Sequence, residues 1–311
     1  QRPPQVIQHL PAADQRQCCR APSIDGDVAA TEYPRQQLPV ASHPAVVACG
    51  GDGTVVSLAA PDSVLRGFEL RNSGTEYDRD HSGIIVTAPR VLVENNRLRE
   101  VLFGIFVSKA SDVILRGNDV TSKDEFSISL KGDAIRLWYS PRVTIENNHV
   151  HNSRDLVVWY SSDATIRNNL VERGRYGVHL MYCDNVVIQG NRFLDNSVGV
   201  YTMYSNNTLI KDNLIRGQRG PSGYAIGLKD ADDIEVAHNA LIDNRAGAFL
   251  DGAPFSPEGH AYFHDNIFAF NDAALIMLPA VRGALIENNS FWENVEQVTI
   301  AGGGKLGTSI W

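Results

Sequence analysis

Several things are scarce in this sequence. No stretch of its 311 residues is apolar for long enough to span a bilayer. No charged n-region followed by an apolar h-region opens it, so the first residues do not read as a signal peptide. Helical periodicity is missing throughout. Positive charge is in deficit: 28 Lys and Arg stand against 36 Asp and Glu, a formal net charge of −8. That balance argues against a general nucleic-acid or anionic-membrane surface, and no nucleic acid is expected as a partner. Cysteine occurs only at Cys18, Cys19, Cys49 and Cys183, with no spacing that fits a zinc motif. Three of the four precede the repetitive part of the chain. Cys49 with Cys18 or Cys19 would make a disulfide in an oxidising compartment; reduced thiols are the alternative.

What the chain has is a repeat. From Ser63 onward it follows apolar-x-apolar-x-x-Asn-x-apolar, with asparagines at Asn96, Asn118, Asn148, Asn169, Asn191, Asn213, Asn239, Asn266 and Asn289. Their separations are 22, 30, 21, 22, 22, 26, 27 and 23 residues. A base period near 22 with insertions marks a solenoid. Short β-branched strands and Asn/Gly/Asp turns in each period predict an all-β fold: a single right-handed parallel β-helix of about ten coils. One asparagine per coil is expected to hydrogen-bond along the stack. The boundaries are an irregular, proline-rich arm or cap over 1–45 and the β-helix over 46–311. The longer periods place inserts at Thr121 to Asp133, Gly217 to Gly223 and Asp251 to Gly259, which should emerge as loops from one edge. The segment 302–311 leaves the repeat without an obvious cap, exposing a strand edge.

A second repeated stretch carries the chemistry. It reads Ile135-Arg-Leu-Trp-Tyr-Ser140, Leu156-Val-Val-Trp-Tyr-Ser161, Val178-His-Leu-Met-Tyr-Cys183 and Val200-Tyr-Thr-Met-Tyr-Ser205. Period-2 alternation sends Ile135, Leu137, Val178, Leu180, Val200 and Thr202 inward. Arg136, Trp138, Trp159, His179, Met181, Tyr201 and Met203 are then expected to face out. An outward ladder of tryptophan and methionine needs explaining, because water would not select it. His179 and Met181 project the same way, and Met203 should stack on Met181 one strand spacing away. Cys183 is expected on the same parity at the strand end. An imidazole and two thioethers, with a thiol as an optional fourth ligand, are soft donors that suit Cu(I) better than zinc, magnesium or calcium. A one-residue error in facing would turn the ladder inward and make it packing.

The stretch Arg175-Tyr-Gly-Val-His-Leu-Met-Tyr182 with Val200-Tyr-Thr-Met-Tyr-Ser205 resembles the His-x-Met-Tyr and Met-Tyr/Phe-Ser coils of the NosD family. Leu65-Arg-Gly-Phe-Glu-Leu-Arg-Asn-Ser-Gly74 and Leu102-Phe-Gly-Ile105 are similar too, and the resemblance runs over about residues 50–311. It implies a periplasmic copper chaperone whose export signal has been removed. Such a protein would work with an ABC transporter (a membrane subunit and an ATPase) to supply a periplasmic copper enzyme, with a possible upstream copper donor. The metal role carries over to His179, Met181 and Met203. The Cys18-Cys19 arm and the Trp-Tyr-Ser coils depart from the family pattern, which leaves the client enzyme open.

Two other classes compete. A carbohydrate-active β-helix enzyme would use carboxylates with Arg, Lys or His on an outer sheet face, for which Asp78, Asp80, His81, Lys131, Asp133 and Arg136 are candidates. Against it, the 78–81 segment reads as a loop that need not meet Arg136. A binding scaffold would use Trp138, Trp159, Tyr201 and Arg136 as a partner surface.

Overall fold

The computed structural model describes residues 6–7, 44–301 and 307–310. They build three parallel sheets of 12, 11 and 11 strands, each sheet taking every third strand of the chain. The result is a β-solenoid of about eleven coils. A typical coil contributes Ile114–Arg116 to the first sheet, Asp119–Ser122 to the second and Ile135–Trp138 to the third. The only helical turns among the described residues are two short 3-10 segments, Tyr77–Arg79 and Ile128–Leu130. Among the described residues no helix is long and apolar enough to cross a membrane. Cys18 and Cys19 lie outside the described residues; Cys49 is nearly buried where the first coil begins.

All nine asparagines of the repeat fall in one ladder at the turn between the first and second sheets. Asn148 is representative. Its backbone N–H donates to Asn169 Oδ1 at 2.9 Å and its Nδ2 donates to Leu115 O at 2.9 Å. Each amide thus satisfies a turn N–H below and a strand carbonyl, groups that no sheet ladder reaches. The residue before each ladder asparagine is left-handed: Asn95, Gly117, Asn147, Asn168, Gly190, Asp212, His238, Asp265 and Asn288. Asn, Asp and Gly tolerate that conformation best, which accounts for the recurring Asn-Asn, Gly-Asn and Asp-Asn pairs.

A second amide ladder runs at the next corner through Asn196, Gln218, Asn244, Asn271 and Asn294. The interior between the ladders is aliphatic, with Phe193, Phe263 and Phe268 fully buried among the aliphatic side chains.

The inserts leave from two edges rather than one. Asp124, Ile128 and Lys131 of the first insert and Gly217, Arg219 and Gly220 of the second line one cleft of about 620 Å³ between the second and third sheets. The third insert closes the opposite corner of the third sheet, where Asp232 Oδ1 accepts from the N–H groups of Phe255 and Ser256 at 2.7 and 3.0 Å. The first two inserts lengthen the turn between the second and third sheets and the third insert lengthens the turn from the third sheet back to the first, and period length alone does not say which turn grows.

Candidate functional site

The outer face of the third sheet carries two side-chain columns in register. One runs Phe106, Arg136, Val157, His179, Tyr201, Gly227 and Phe249. The other runs Ser108, Trp138, Trp159, Met181, Met203, Lys229 and Asp251. Alternation therefore places Trp138, Trp159, Met181 and Met203 outside the coil, as expected. The pairing of Asp155–Trp159 with Tyr176–Met181 shifts register between Asp155 and Val157, a bulge immediately before His179. Bulges of this kind re-aim side chains next to functional sites.

His179 lies on the outside of the sheet and is still only 8% exposed. Trp159 meets it edge-on at 5.8 Å between ring centroids, and Tyr176 covers it at 5.0 Å. Its Nε2 is 3.4 Å from Met203 Sδ. Its Nδ1 is buried without a hydrogen-bond partner among the described residues. Burial drives the imidazole pKa down to about 4, with the Asp155 carboxylate opposing and the Arg175 and Arg154 guanidiniums adding to the fall. At neutral pH the ring is therefore uncharged, with one nitrogen facing a thioether and the other without a hydrogen-bond partner among the described residues. A buried imidazole left this unsatisfied is costly. Met181 sits in register with Met203, one strand along from His179's neighbours. The donor set of one neutral imidazole and two thioethers fits a soft monovalent ion.

The structure corrects the position of Cys183. Tyr182 is left-handed, with φ of 55°, and that turn reverses the parity of the next residue. Cys183 is 0% exposed and points into the coil, where its Sγ contacts the carbonyls of Val158 at 3.0 Å and Met181 at 3.3 Å. It stands in an internal ladder with Ser140, Ser161 and Ser205: Ser161 N–H donates to Cys183 Sγ at 3.4 Å, and Cys183 N–H donates to Ser205 Oγ at 3.0 Å. Burial pushes the thiol up to about 11. The thiol and the outer cluster lie on opposite sides of the backbone.

The same left-handed corner holds a feature that the sequence reading passed over. Tyr139, Tyr160, Tyr182 and Tyr204 all have positive φ and stack face to face at 4.7, 5.0 and 5.0 Å. Tyr139, Tyr182 and Tyr204 are 49%, 44% and 36% exposed. A left-handed non-glycine residue costs roughly 1–2 kcal/mol, while an aromatic pair returns about 0.5–1.5 kcal/mol. With four such residues and three stacked pairs, the ladder does not stabilise the coil stack on its own. The recurrent Tyr before each Ser or Cys was its sequence signal.

Arg136 completes the flank. Its guanidinium lies 4.9 Å from the Phe106 ring centroid and 5.9 Å from those of Trp138 and Trp159. It also pairs with Asp80 at 3.1 Å, so the 78–81 loop does reach Arg136, contrary to the sequence expectation. Among the remaining candidates for carbohydrate chemistry, Asp133 lies within electrostatic reach of Arg136. Asp78 is exposed and His81 is buried, accepting from the Glu76 N–H at 3.3 Å. Lys131 donates to Asn152 Oδ1 at 2.7 Å. Asp133 is sealed in, and burial with the nearby Asp155 carboxylate raises its pKa to about 7. Tyr201 packs beside His179, and burial raises its phenol to about 12.

Residues 120–311 match the family described as "Periplasmic copper-binding protein (NosD)", and residues 54–155 match the "Right handed beta helix region". A relative from Stutzerimonas stutzeri, "Probable ABC transporter binding protein NosD", is 30% identical over 113 residues, which is 36% of this chain and 26% of that protein. The matched stretch thus spans about a quarter of that relative's length. Among solved structures, a lacto-N-biosidase from Eubacterium ramulus superposes with a TM-score of 0.54 at 12% identity, covering 80% of this chain and 51% of that one. The Streptococcus pneumoniae surface protein and adhesin PfbA does so with a TM-score of 0.53 at 12% identity, covering 83% and 82%. At such identities the likeness is one of fold.

Proposed function

The chain belongs to the NosD family, and from that premise we propose that it binds Cu(I) on the outer face of its third sheet and passes the ion to a copper oxidoreductase. The observation that carries this reading is the buried, neutral imidazole of His179 with Nε2 3.4 Å from Met203 Sδ. His179, Met181 and Met203 are the ligands. Cys183 takes no part, because its sulfur lies inside the coil. Copper here is cargo. A site of thioethers and one imidazole holds Cu(I) away from water yet releases it to a stronger thiolate or histidine set, which is what delivery requires. Trp159, next to Met181 in the column, and Trp138 beyond it would shield the ion from water on one side.

The work asked of the protein is binding and release rather than turnover, so it acts as an accessory factor and not as an enzyme. Its place is the periplasm, as the family description says of its members. The printed name of the Stutzerimonas relative supports an association with an ABC transporter, its membrane subunit and ATPase, with an upstream donor loading the copper. The docking surface for those partners is Trp138, Trp159, Tyr201 and Arg136, extended by the exposed tyrosine ladder.

Anaerobic competition of the purified chain against a Cu(I) chelator tests the site. One Cu(I) per chain is expected at the sheet, with Met181→Ala and Met203→Ala each weakening it about equally and His179→Ala at least tenfold. Wild-type binding by both methionine variants would overturn the assignment and leave the ladder as packing or partner surface.

A further inference from the structure

The second sheet carries another group of donors, remote in sequence from the copper cluster and of different chemistry. His149 and His151 alternate on the strand His149–His151, so both project from the outer face. Asp119, 30 residues earlier, is in register directly beneath His149. Asp119 Oδ1 is 2.9 Å from His151 Nε2 and 3.9 Å from His149 Nδ1. The two imidazoles lie 4.3 Å apart, centroid to centroid. Nitrogen and oxygen donors about 2.0–2.2 Å from a tetrahedral ion stand roughly 3.4 Å from each other, and the observed separations bracket that value.

The neighbours orient these donors. Arg99 Nη2 holds Asp119 Oδ2 and leaves Oδ1 turned to the histidines. Glu172 Oε1 is 3.1 Å from His149 Nε2, on the far side of the ring. A proton on Nε2 directed at Glu172 leaves the Nδ1 lone pair facing Asp119, the carboxylate–histidine pattern that fixes a metal-binding tautomer. Glu172 is paired in turn with Arg173 at 2.8 Å. Asp119, His149 and His151 are all partly exposed, so an ion has access.

We propose that Asp119 Oδ1, His149 Nδ1 and His151 Nε2 form a binding site for a divalent first-row transition ion of the zinc(II) class, with Glu172 as the positioning residue for His149. The local charge decides the class of ion. Two carboxylates already face two guanidiniums, so the site offers little net negative charge to magnesium or calcium. Its selectivity comes from two imidazole nitrogens, which favour zinc(II) and copper(II). The donors contain no sulfur, so Cu(I) has no preference for them over the third sheet. The second site is independent of the copper-delivery reading.

Zinc(II) titration by calorimetry, on the full chain and on variants with unchanged circular dichroism, tests the proposal. His151→Ala and Asp119→Asn are expected to lose one zinc equivalent each, and the same one. Glu172→Gln should keep that equivalent with affinity about 10–100-fold weaker, because it disturbs orientation and not ligation. Met203→Ala should leave the zinc isotherm untouched while weakening Cu(I) binding, so failure of either site is read separately. Should His149→Ala fail to fold, Asp119→Asn and Glu172→Gln still decide. Coincident isotherms for wild type, His151→Ala and Asp119→Asn would refute the site.

Discussion

If His179 is the imidazole ligand, Cu(I) affinity is nearly independent of pH between 8 and 5. The reasoning is proton competition. Burial holds His179 near 4, so a proton contends with copper only below that pH. At pH 5 about a tenth of such imidazoles are protonated, and the affinity loss is roughly 1.1-fold. A solvent-exposed histidine with an ordinary pKa near 6.5 would be almost fully protonated at pH 5 and would lose roughly thirtyfold over the same range. A thiolate ligand behaves differently again. With the Cys183 thiol raised to about 11, binding through its sulfur would weaken about tenfold for every pH unit across the whole range. Thioethers do not titrate and add no slope. Anaerobic competition against a chelator of known proton dependence, at half-unit steps from pH 8 to 5, separates the three cases. The expected curve is flat to within a factor of two and unchanged by Cys183→Ser. A fall of tenfold or more would refute either the burial of His179 or its role as ligand.

Two further outcomes concern the stability of the coil stack. Asn169 donates to Ile145 O and Asn191 Oδ1, each at 2.9 Å, and accepts from Asn148 N–H at 2.9 Å. Asn169→Ala strands buried groups at about 1–3 kcal/mol each, so urea denaturation should show a loss of about 4 kcal/mol. The adjacent Asn168 is exposed and left-handed, and Asn168→Gly should cost only a few tenths of a kcal/mol. Equal losses at the two positions would contradict the ladder. Asp133 is raised to about 7 by burial and the nearby Asp155, so the folded state binds a proton there that the unfolded chain releases near 3.8. Its contribution is therefore favourable below about 4 and lost as pH rises through 7. Asp133→Asn is expected to raise the melting temperature more at pH 8 than at pH 5; equal changes would show that the nearby guanidiniums fully compensate the charge, and the reverse order would refute the raised pKa.

The periodic part of this molecule was legible in its residues. The interval near 22, the nine ladder asparagines and the Asn/Gly/Asp turns are local demands of a repeating turn, and they specify the stack without reference to anything distant. Period-2 alternation likewise placed His179, Met181, Met203, Trp138 and Trp159 on one outer face, because side-chain direction within a strand is a local property. Alternation ends where the strand ends. Left-handed Tyr182 reverses the chain at the corner, and Cys183 turned inward although residue counting sent it out. The contacts that tertiary structure alone decided are those between residues of different coils whose spacing depends on which turn an insert lengthens. Asp80 meets Arg136 across 56 residues. Asp119 lies under His149 because the insert at 121–133 loops out and restores the register. The tyrosine ladder had a signal in the recurrent Tyr, but its face-to-face stacking appears only once the coils stack. Coil stacking at strand spacing brings residues about one turn apart into contact, and only the closed solenoid shows which residues a turn aligns.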